Sequence, residues 1–305
     1  MNPRRRHPGV RPRGRPVAMW PELGRAARVA ARSFIVAAAA LALSPAAAHA
    51  QAPAYRRAPG DTLRYHEVTM STVEMRAATG PVSVRTSHDA RIALAFVAAD
   101  TARAWVEALS LSVAGLPGQA DRRPDTSALL RQPYTLVFGA RGEVETVRTP
   151  ELAAEIAQVS DLSAEFTDFF PRLPAGPLTP GATWADTASH ETTNAAGRTV
   201  IAQRIGSYRV RGDSTIAGER VVVVELRTAS EIATGTAAPR ASGATMRSDL
   251  EGEETGTFCF APATGRLVER RRTGRLTGAI TVRGGGQQLS IPQTFTYESR
   301  IELIR

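Results

Sequence analysis

The feature that most constrains this chain is an apolar stripe at helical spacing that runs into a series of prolines. From Leu152 onward, apolar residues recur at steps of three and four, which predicts one central amphipathic helix over about 150–170. Thr149 suits the N-cap of this helix and Pro150 its first position. The prolines that follow exclude further helix, so 149–179 is predicted to be a helix followed by a proline-rich strap. The stripe consists of Leu152, Ile156, Val159, Leu162, Phe166, Phe169 and Phe170.

Sequence on both sides of this helix has the two-residue period of β-strands. Ile92, Leu94 and Phe96 alternate in one stretch, and another stretch loses its alternation at Glu107. A helical face with three Phe must be buried, and sheets are the only partners that the sequence offers. The predicted fold class is therefore mainly β, an antiparallel curved sheet or half-barrel with one central amphipathic helix. The clearest strand is the last, where Phe295, Tyr297, Ile301 and Leu303 should share one face.

Two similar turns point to an internal repeat. The turn that begins at Pro59 and the turn that begins at Pro180 share the pattern Pro-Gly-x-Thr, and an aromatic-then-glycine hairpin follows in each half. These turns predict two β halves, 59–148 and 180–305, which the helix and strap join. The alternative is one β-rich domain in which turn motifs recur wherever hairpins do.

Residues 1–50 have the pattern of an export signal. Three arginines precede an apolar run at 34–43, and the Ala-His-Ala at 48–50 fits a cleavage site. The run is too short to span a bilayer, although a retained membrane anchor is the alternative. Residues 1–18 resemble upstream sequence read in frame, since a start at Met19 gives a more ordinary signal length. We expect an exported β-rich domain over 51–305, periplasmic in the first instance and extracellular as the alternative.

The charge balance changes once the leader is set aside. The whole chain has 38 basic residues, all Arg, against 29 acidic ones. Residues 51–305 hold 29 Arg against 28 Asp and Glu, so the exported part is close to neutral. Charge therefore gives no support for nucleic-acid binding. We expect no nucleic-acid partner and no membrane span in the mature chain.

Residue types that carry catalysis or bind metals are few and dispersed. His66, His88 and His190 are far apart in sequence, and no HExxH motif occurs. Cys259 lies between two Phe in a strand-like run, which predicts a buried, inert thiol rather than a nucleophile. We therefore name no catalytic residue, metal site or cofactor. A hydrolase with an unrecognised site is kept as an alternative.

Four arginines near the C-terminus allow two interpretations. Arg270, Arg271, Arg272 and Arg275 could bind an anionic head group, or they could form a solvent-exposed face with the acids at 251–254. A hairpin with Phe260 opposite Gly265 would place Glu254 opposite Arg271 and Glu253 opposite Arg272. That register favours the solvent-exposed face.

With these features in view, two resemblances can be named. A signal peptide, antiparallel strands and a helix packed on a curved sheet resemble the periplasmic lipoprotein-localisation carriers and related half-barrel lipoproteins. Residues 166–184, which read FTDFFPRLPAGPLTPGATW, are similar to a segment of uncharacterised exported β-rich bacterial proteins. The first resemblance implies a carrier role and the second implies no activity. The chain departs from the carriers because it has no lipobox and because its helix lies in mid-chain.

The function that follows is a non-enzymatic binding or carrier protein for a hydrophobic, lipid-like ligand or an envelope partner. The ligand would occupy an apolar cavity between the sheet and the helix, with the long loop 114–133 as a lid. The alternatives are a periplasmic hydrolase and a surface-acting structural protein whose helix fills the concavity completely. The predicted cavity-lining residues are Leu162, Phe166, Phe169, Phe170 and Trp184.

Overall fold

A computed structural model describes residues 52–77, 80–139, 141–150, 162–193, 198–236 and 245–304 of the protein. The predicted leader and the first part of the predicted helix, including Leu152, Ile156 and Val159, lie outside the described residues.

The described residues form one antiparallel sheet of eleven strands, in the order β5-β4-β3-β2-β1-β11-β10-β9-β8-β7-β6. This curved half-barrel confirms the predicted fold class. Strands β1 and β11 pair in the middle of the sheet, whereas β5 and β6 form its two edges. The bounds are β1 (Thr62–Ala77), β2 (Gly80–Phe96), β3 (Thr101–Ala114), β4 (Tyr134–Phe138), β5 (Val144–Arg148), β6 (Thr183–Thr193), β7 (Arg198–Ile216), β8 (Glu219–Thr236), β9 (Thr245–Ala261), β10 (Arg266–Gly284) and β11 (Gln287–Ile304).

The chain from β5 to β6 joins the two edges of the sheet and carries the helix of the described residues, α1 (Leu162–Thr167). We call the face on which α1 packs the inner face, and 168–182 the strap. α1 ends before the predicted limit at 170, and Thr149 and Pro150 are not helical. The Asp168 and Phe169 amides bond to carbonyls three residues back, which tightens the last turn. Among the described residues, no helix is long and apolar enough to cross a membrane.

A buried arginine completes the C-terminal end of α1. The Arg270 guanidinium donates to the carbonyls of Asp168 and Phe169, the latter at 2.9 Å. Carbonyls at a helix end lack intrahelical partners and carry negative partial charge, so a cation there is favourable. Because Arg270 belongs to β10, this contact fixes the end of the helix to the centre of the sheet.

The main core lies between α1, the strap and the inner face. Phe166 contacts Tyr134, and Phe169 contacts Tyr65, each with ring centroids 5.1 Å apart. Complete burial of a Phe side chain contributes about 1.5–3 kcal/mol, whereas an exposed ion pair contributes about 0–1 kcal/mol. Aromatic burial therefore dominates the attachment of α1. The large side chains that are fully buried include Tyr65, Ile92, Leu94, Tyr134, Leu136, Leu162, Phe166, Phe169, Leu173, Phe258 and Phe260.

The strand registers confirm one prediction and correct another. In β11, Phe295, Tyr297, Ile301 and Leu303 share one face, as predicted, and it is the inner face. In the β9–β10 hairpin the predicted register is wrong, because Glu254 lies opposite Gly274 rather than Arg271. The hairpin turn is longer than expected, and a bulge between Leu267 and Glu269 shifts the pairing by one more residue. The shift turns Arg270 and Arg272 to the inner face and leaves Arg271 and Arg275 outside.

The two Pro-Gly turns have the same hydrogen bonds. The Gly60 amide donates to the Phe96 carbonyl at 2.8 Å, and the Gly181 amide donates to the Val210 carbonyl at 2.9 Å. In both turns the amide of the residue after the glycine donates to the carbonyl of the residue two before the glycine. The carbonyl of that following residue then accepts a hydrogen bond from the amide of Phe96 or Val210. The strand order within β1–β5 also equals that within β6–β10. That the halves arose by duplication stays a prediction.

The long loop lies along the edge of β3 rather than over the inner face. Strand β4 pairs only with the first part of β3, and the loop covers the rest through bridges from Arg122 to Val113 and from Leu130 to Val106. Leu129 is buried in this contact. The loop therefore protects backbone groups of an otherwise open edge, and this position gives no support to a lid.

Two inner-face glycines of β9 lie directly against the backbone of β10. A Cβ added at Gly252 or Gly256 would lie 2.1 Å from the carbonyl oxygen of Arg275 or Arg271 on β10. Real atoms do not approach so closely, so these strands require glycine at both positions.

The variant Gly256→Ala tests this requirement. We expect it to lower the free energy of unfolding by about 1–3 kcal/mol, because the new methyl group must displace the backbone of β10. The control is Gly176→Ala, since a Cβ there meets no atom within 4 Å. Urea denaturation measures both variants, and equal stability of the two would show that the contact between β9 and β10 tolerates a side chain.

Candidate functional site

A band of charged side chains crosses the middle of the inner face. Inner-facing positions of the strands supply Glu67, His88, Arg204, Glu254, Arg270 and Arg272, and α1 with the residue after it supplies Glu165 and Asp168. Glu67, Glu254 and Arg270 are 4%, 1% and 4% exposed. Buried charges of this kind require partners, so the geometry of each pair decides what the band can do.

Asp168 is the carboxylate that ties the strap to the sheet. Its Oδ2 atom lies 2.9 Å from Arg204 Nη1 on β7, and it also accepts a hydrogen bond from Arg272 Nη1 on β10. Burial alone would raise the pKa of Asp168, but Arg272, Arg204 and Arg270 outweigh burial and hold the pKa well below its ordinary value. Asp168 therefore stays ionised and links two strands that are not neighbours.

Glu254 lies near the same two arginines, Arg204 and Arg272, but forms no close ion pair with either of them. It accepts a hydrogen bond of 2.7 Å from Ser230. Arg204 Nε and Arg272 Nη1 lie 3.8 and 3.7 Å from its oxygens, which is too long for a hydrogen bond. The Nε atoms of Arg204, Arg270 and Arg272 are buried and have no acceptor in the described part of the chain.

A second buried group joins β1, β2 and α1. His88 Nδ1 lies 3.5 Å from Glu165 Oε1. Burial lowers the pKa of His88, but the hydrogen bond and the charge of Glu165 outweigh it and raise the pKa to about 9. Burial and the charge of Glu165 raise the pKa of Glu67 to about 7. Near neutral pH this group therefore holds a charged imidazolium and a carboxyl group that is readily protonated.

An open cleft of about 260 Å³ lies between the strap and strands β6–β8. Arg172 and Asp186 in its wall form an ion pair. Burial, and then the charge of Arg204, lowers the pKa of His190 in the wall, so this imidazole is neutral near neutral pH. The polar wall includes Arg172, Asp186, His190, Arg204, Arg270 and Arg272.

Beyond the charged band, the inner face becomes apolar again. Phe295 lies between Val73 on β1 and Leu276 on β10, and Ile280 lies opposite Ile291. All of these except Leu276 remain partly exposed. We call this surface, which crosses six strands, the trough. It consists of Val73, Met75, Val82, Val84, Ile232, Leu250, Leu276, Ile280, Ile291 and Phe295.

The five residues predicted to line a cavity occupy different environments. Leu162, Phe166 and Phe169 are 1% exposed and belong to the core. Phe170 lines the cleft. Trp184 is half-buried, stacks on Tyr208 and donates from Nε1 to the Arg172 carbonyl at 3.1 Å. This packing gives most of the five residues a structural role. Their role as ligand contacts stays a prediction.

Other sequence predictions concern possible reactive groups. Cys259 is buried, as predicted, and burial raises the pKa of its thiol to about 11. Such a thiol is protonated near neutral pH and is a poor nucleophile. Within the described ranges, no three His, Cys, Asp or Glu side chains lie close enough to hold a metal ion.

Sequence reasoning missed most of the charged band. The available signal was a charged residue at an inner-facing position of a regular strand, such as Glu67 two residues after Tyr65, or Arg204 two residues after Ala202. For Arg270 and Arg272 this signal was hidden, because the bulge in β10 reverses which face they occupy.

Comparison with known proteins gives limited similarity. No protein-family profile and no curated protein sequence matches the chain. A lipovitellin structure that concerns lipid–protein interactions matches with 13% identity and a TM-score of 0.46, over 81% of this chain and 25% of that one. Pseudomonas aeruginosa OccK2 (OpdF) matches with 8% identity and a TM-score of 0.19, over 80% of this chain and 98% of that one. The chain thus spans a quarter of the lipovitellin chain. Both are weak likenesses between β-rich chains, and neither defines a family for this protein.

The raised pKa values predict how stability depends on pH. Glu67 and His88 both bind protons more tightly in the folded protein than in the unfolded chain. Their contribution to the free energy of unfolding is therefore complete below their ordinary pKa values. It is lost as the pH rises through about 7 for Glu67 and about 9 for His88. Glu67→Gln should raise the free energy of unfolding at pH 8 by about 1–3 kcal/mol and change it little at pH 5.

Urea denaturation at the two pH values measures this difference. The matched control is Glu74→Gln, an exposed position on the outer face of the same strand, which should leave the pH profile unchanged. A parental profile in the Glu67 variant would show that this carboxyl group is not the source of the pH dependence.

The ion pairs of Asp168 give a second prediction. Asp168→Asn leaves Arg204 and Arg272 without their shared charge, and we expect a loss of about 1–3 kcal/mol, less than for a completely buried pair because the Asp168 side chain is 31% exposed. Asp249→Asn removes an exposed pair with Arg247 and should cost much less, because solvent screens exposed pairs. Thermal and urea unfolding of both proteins provide the comparison, and equal losses would contradict the role of Asp168.

Proposed function

We propose that this protein is a non-enzymatic binding or carrier protein that takes up a hydrophobic, lipid-like ligand on its inner face. The observation that supports the proposal is the trough, an apolar surface that continues across six neighbouring strands and remains partly exposed. Ligand sites are typically concave and apolar, with a few polar groups that fix orientation. The charged band supplies such groups along one side of the trough.

In this proposal the ligand lies in the trough rather than in the cavity that the sequence predicted between the helix and the sheet. The core between α1 and the sheet is filled by aromatic rings, so a ligand at that position would have to displace Phe166 and Phe169. In the trough, by contrast, a ligand would cover apolar side chains that are still accessible. We further propose that the protein acts in the periplasm, and this part of the proposal is based on the leader sequence.

A surface-acting structural protein is the second candidate function. It is favoured by the complete burial of Leu162, Phe166 and Phe169, because this burial leaves no room for a ligand in one half of the inner face. The two candidates differ in what they predict for the trough, since only a carrier requires it to bind an apolar chain.

Laurate binding, measured by isothermal titration calorimetry, tests the proposal. Val84→Glu and Ile280→Glu each place a charge in the trough, and each should weaken laurate binding by tenfold or more, since a buried carboxylate is costly. The control is Ile205→Glu on the outer face, where the native side chain is 62% exposed. The control should bind as the parent does.

Native mass spectrometry of protein purified from the periplasm provides an independent result. A co-purifying lipid would support the carrier. The opposite result would be a protein mass without bound lipid and trough variants that bind laurate as tightly as Ile205→Glu does. These two results together would favour the surface-acting structural protein.

A further inference from the structure

The wall of the cleft contains three guanidinium groups with unused hydrogen-bonding capacity. Arg270 is 4% exposed, and the side chains of Arg272 and Arg204 are 13% and 18% exposed. The Nε atom of each is buried and lacks an acceptor among the described residues. A buried N–H without an acceptor is unfavourable, so the protein itself does not satisfy these guanidinium groups completely. The parts of Arg204 and Arg272 that remain exposed belong to side chains that line the cleft, where a ligand oxygen can reach them.

One arginine of the cleft wall has no carboxylate partner among the described residues. Arg204 and Arg272 share Asp168 and lie near Glu254, and Arg172 pairs with Asp186, while Arg270 bonds to two main-chain carbonyls, which carry no formal charge. The third carboxylate of the lining is Glu143. The additional carboxyl group near Arg270, that of Glu67, is readily protonated.

The cleft also has the space and the connection to the trough that a head group requires. Its volume of about 260 Å³ compares with about 30 Å³ for a water molecule, so a carboxylate or phosphate fits with part of its hydration shell. Arg204 lies in the wall two residues from Ala202, which pairs with Ile232 of the trough. Arg204 of the cleft and Ile232 of the trough are therefore close to each other on the paired strands β7 and β8.

We propose that the cleft binds the anionic group of an amphipathic ligand, a carboxylate or a phosphate monoester, with Arg204 and Arg272 as its principal ligands. The inference deepens the proposed function and rests on it for the apolar chain, which would lie in the trough. Arginine suits this role because its planar fork matches carboxylate and phosphate oxygens. The neutral His190 adds a further hydrogen-bonding group in the wall.

Four probes separate the head group from the chain in isothermal titration calorimetry: laurate, dodecanol, acetate and inorganic phosphate. We expect laurate to bind about ten- to a hundredfold more tightly than dodecanol, as charge-assisted hydrogen bonds allow. Arg204→Gln should remove this preference and leave dodecanol affinity unchanged. Arg209→Gln, an exposed position on the outer face of the same strand, is the control and should change neither affinity.

Two further measurements keep the result clear if Arg204→Gln is unstable. Arg204→Lys retains the charge without the fork and should restore only part of the preference for laurate. In NMR titrations, bound laurate should raise the pKa of His190, because the anion offsets the charge of Arg204 that helps to lower it. A His190 pKa that does not change when laurate is added would count against the anion site.

The remaining outcomes distinguish this inference from the proposed function. Equal affinities for laurate and dodecanol in the parent protein would overturn the anion site and leave the carrier function intact. Binding of phosphate or acetate that depends on Arg204, without binding of either long-chain probe, would support a site for free anions and overturn the carrier function. Binding of none of the four probes would overturn both, with water as the occupant of the cleft.

Discussion

Burial of the phenylalanine side chains beside α1 is the constraint on which the rest of the structure depends. The chain must cross from β5 at one edge of the sheet to β6 at the other, and apolar contact with the inner face stabilises this crossing. Phe166 and Phe169 pack on Tyr134 and Tyr65, and neighbouring rings extend the contact. With about 1.5–3 kcal/mol for each fully buried ring, this packing exceeds the contribution of any exposed ion pair. It also fills the part of the concavity beside α1, so the ligand that we propose would lie beyond this packing.

The charged band is the boundary between these two parts of the concavity, and several of its charges attach the helix and the strap to the sheet. Arg270 closes the end of α1, and Asp168 joins Arg204 and Arg272 across the strands between them. Several kcal/mol are needed to transfer an ion into a protein interior, and the band recovers part of that cost through these contacts. The incomplete pairing of Glu254 and of the arginine Nε atoms shows that recovery is not complete. Incomplete pairing beside an open cleft is the condition under which an external anion can add stability.

The sequence predicted the elements better than it predicted their relations. Alternation in β11 identified the inner face correctly, because no bulge interrupts its pairing with β1. The loss of alternation at Glu107 coincides with a register shift between β2 and β3. The sequence pattern therefore marked the position of the irregularity but did not identify it as a bulge. The bulge in β10 had no comparable signal, and Arg270 and Arg272 were therefore assigned to the solvent-exposed face. The Phe stripe predicted burial, but periodicity does not distinguish a ring that lines a cavity from a ring that fills one.

The half-barrel and the strap also explain each other. α1 contacts both edge strands, β5 and β6, so it occupies the gap that a closed barrel would have to eliminate. β5 has five residues and β6 has eleven, and strands of such different length could pair only in part. An open sheet would normally expose its edges to other chains, but here the helix and strap lie between them. The same arrangement keeps the inner face of β1, β2 and β8–β11 accessible beyond the charged band. An apolar ligand there, as we propose, would lie on side chains that are already partly exposed, with the polar cleft at its side.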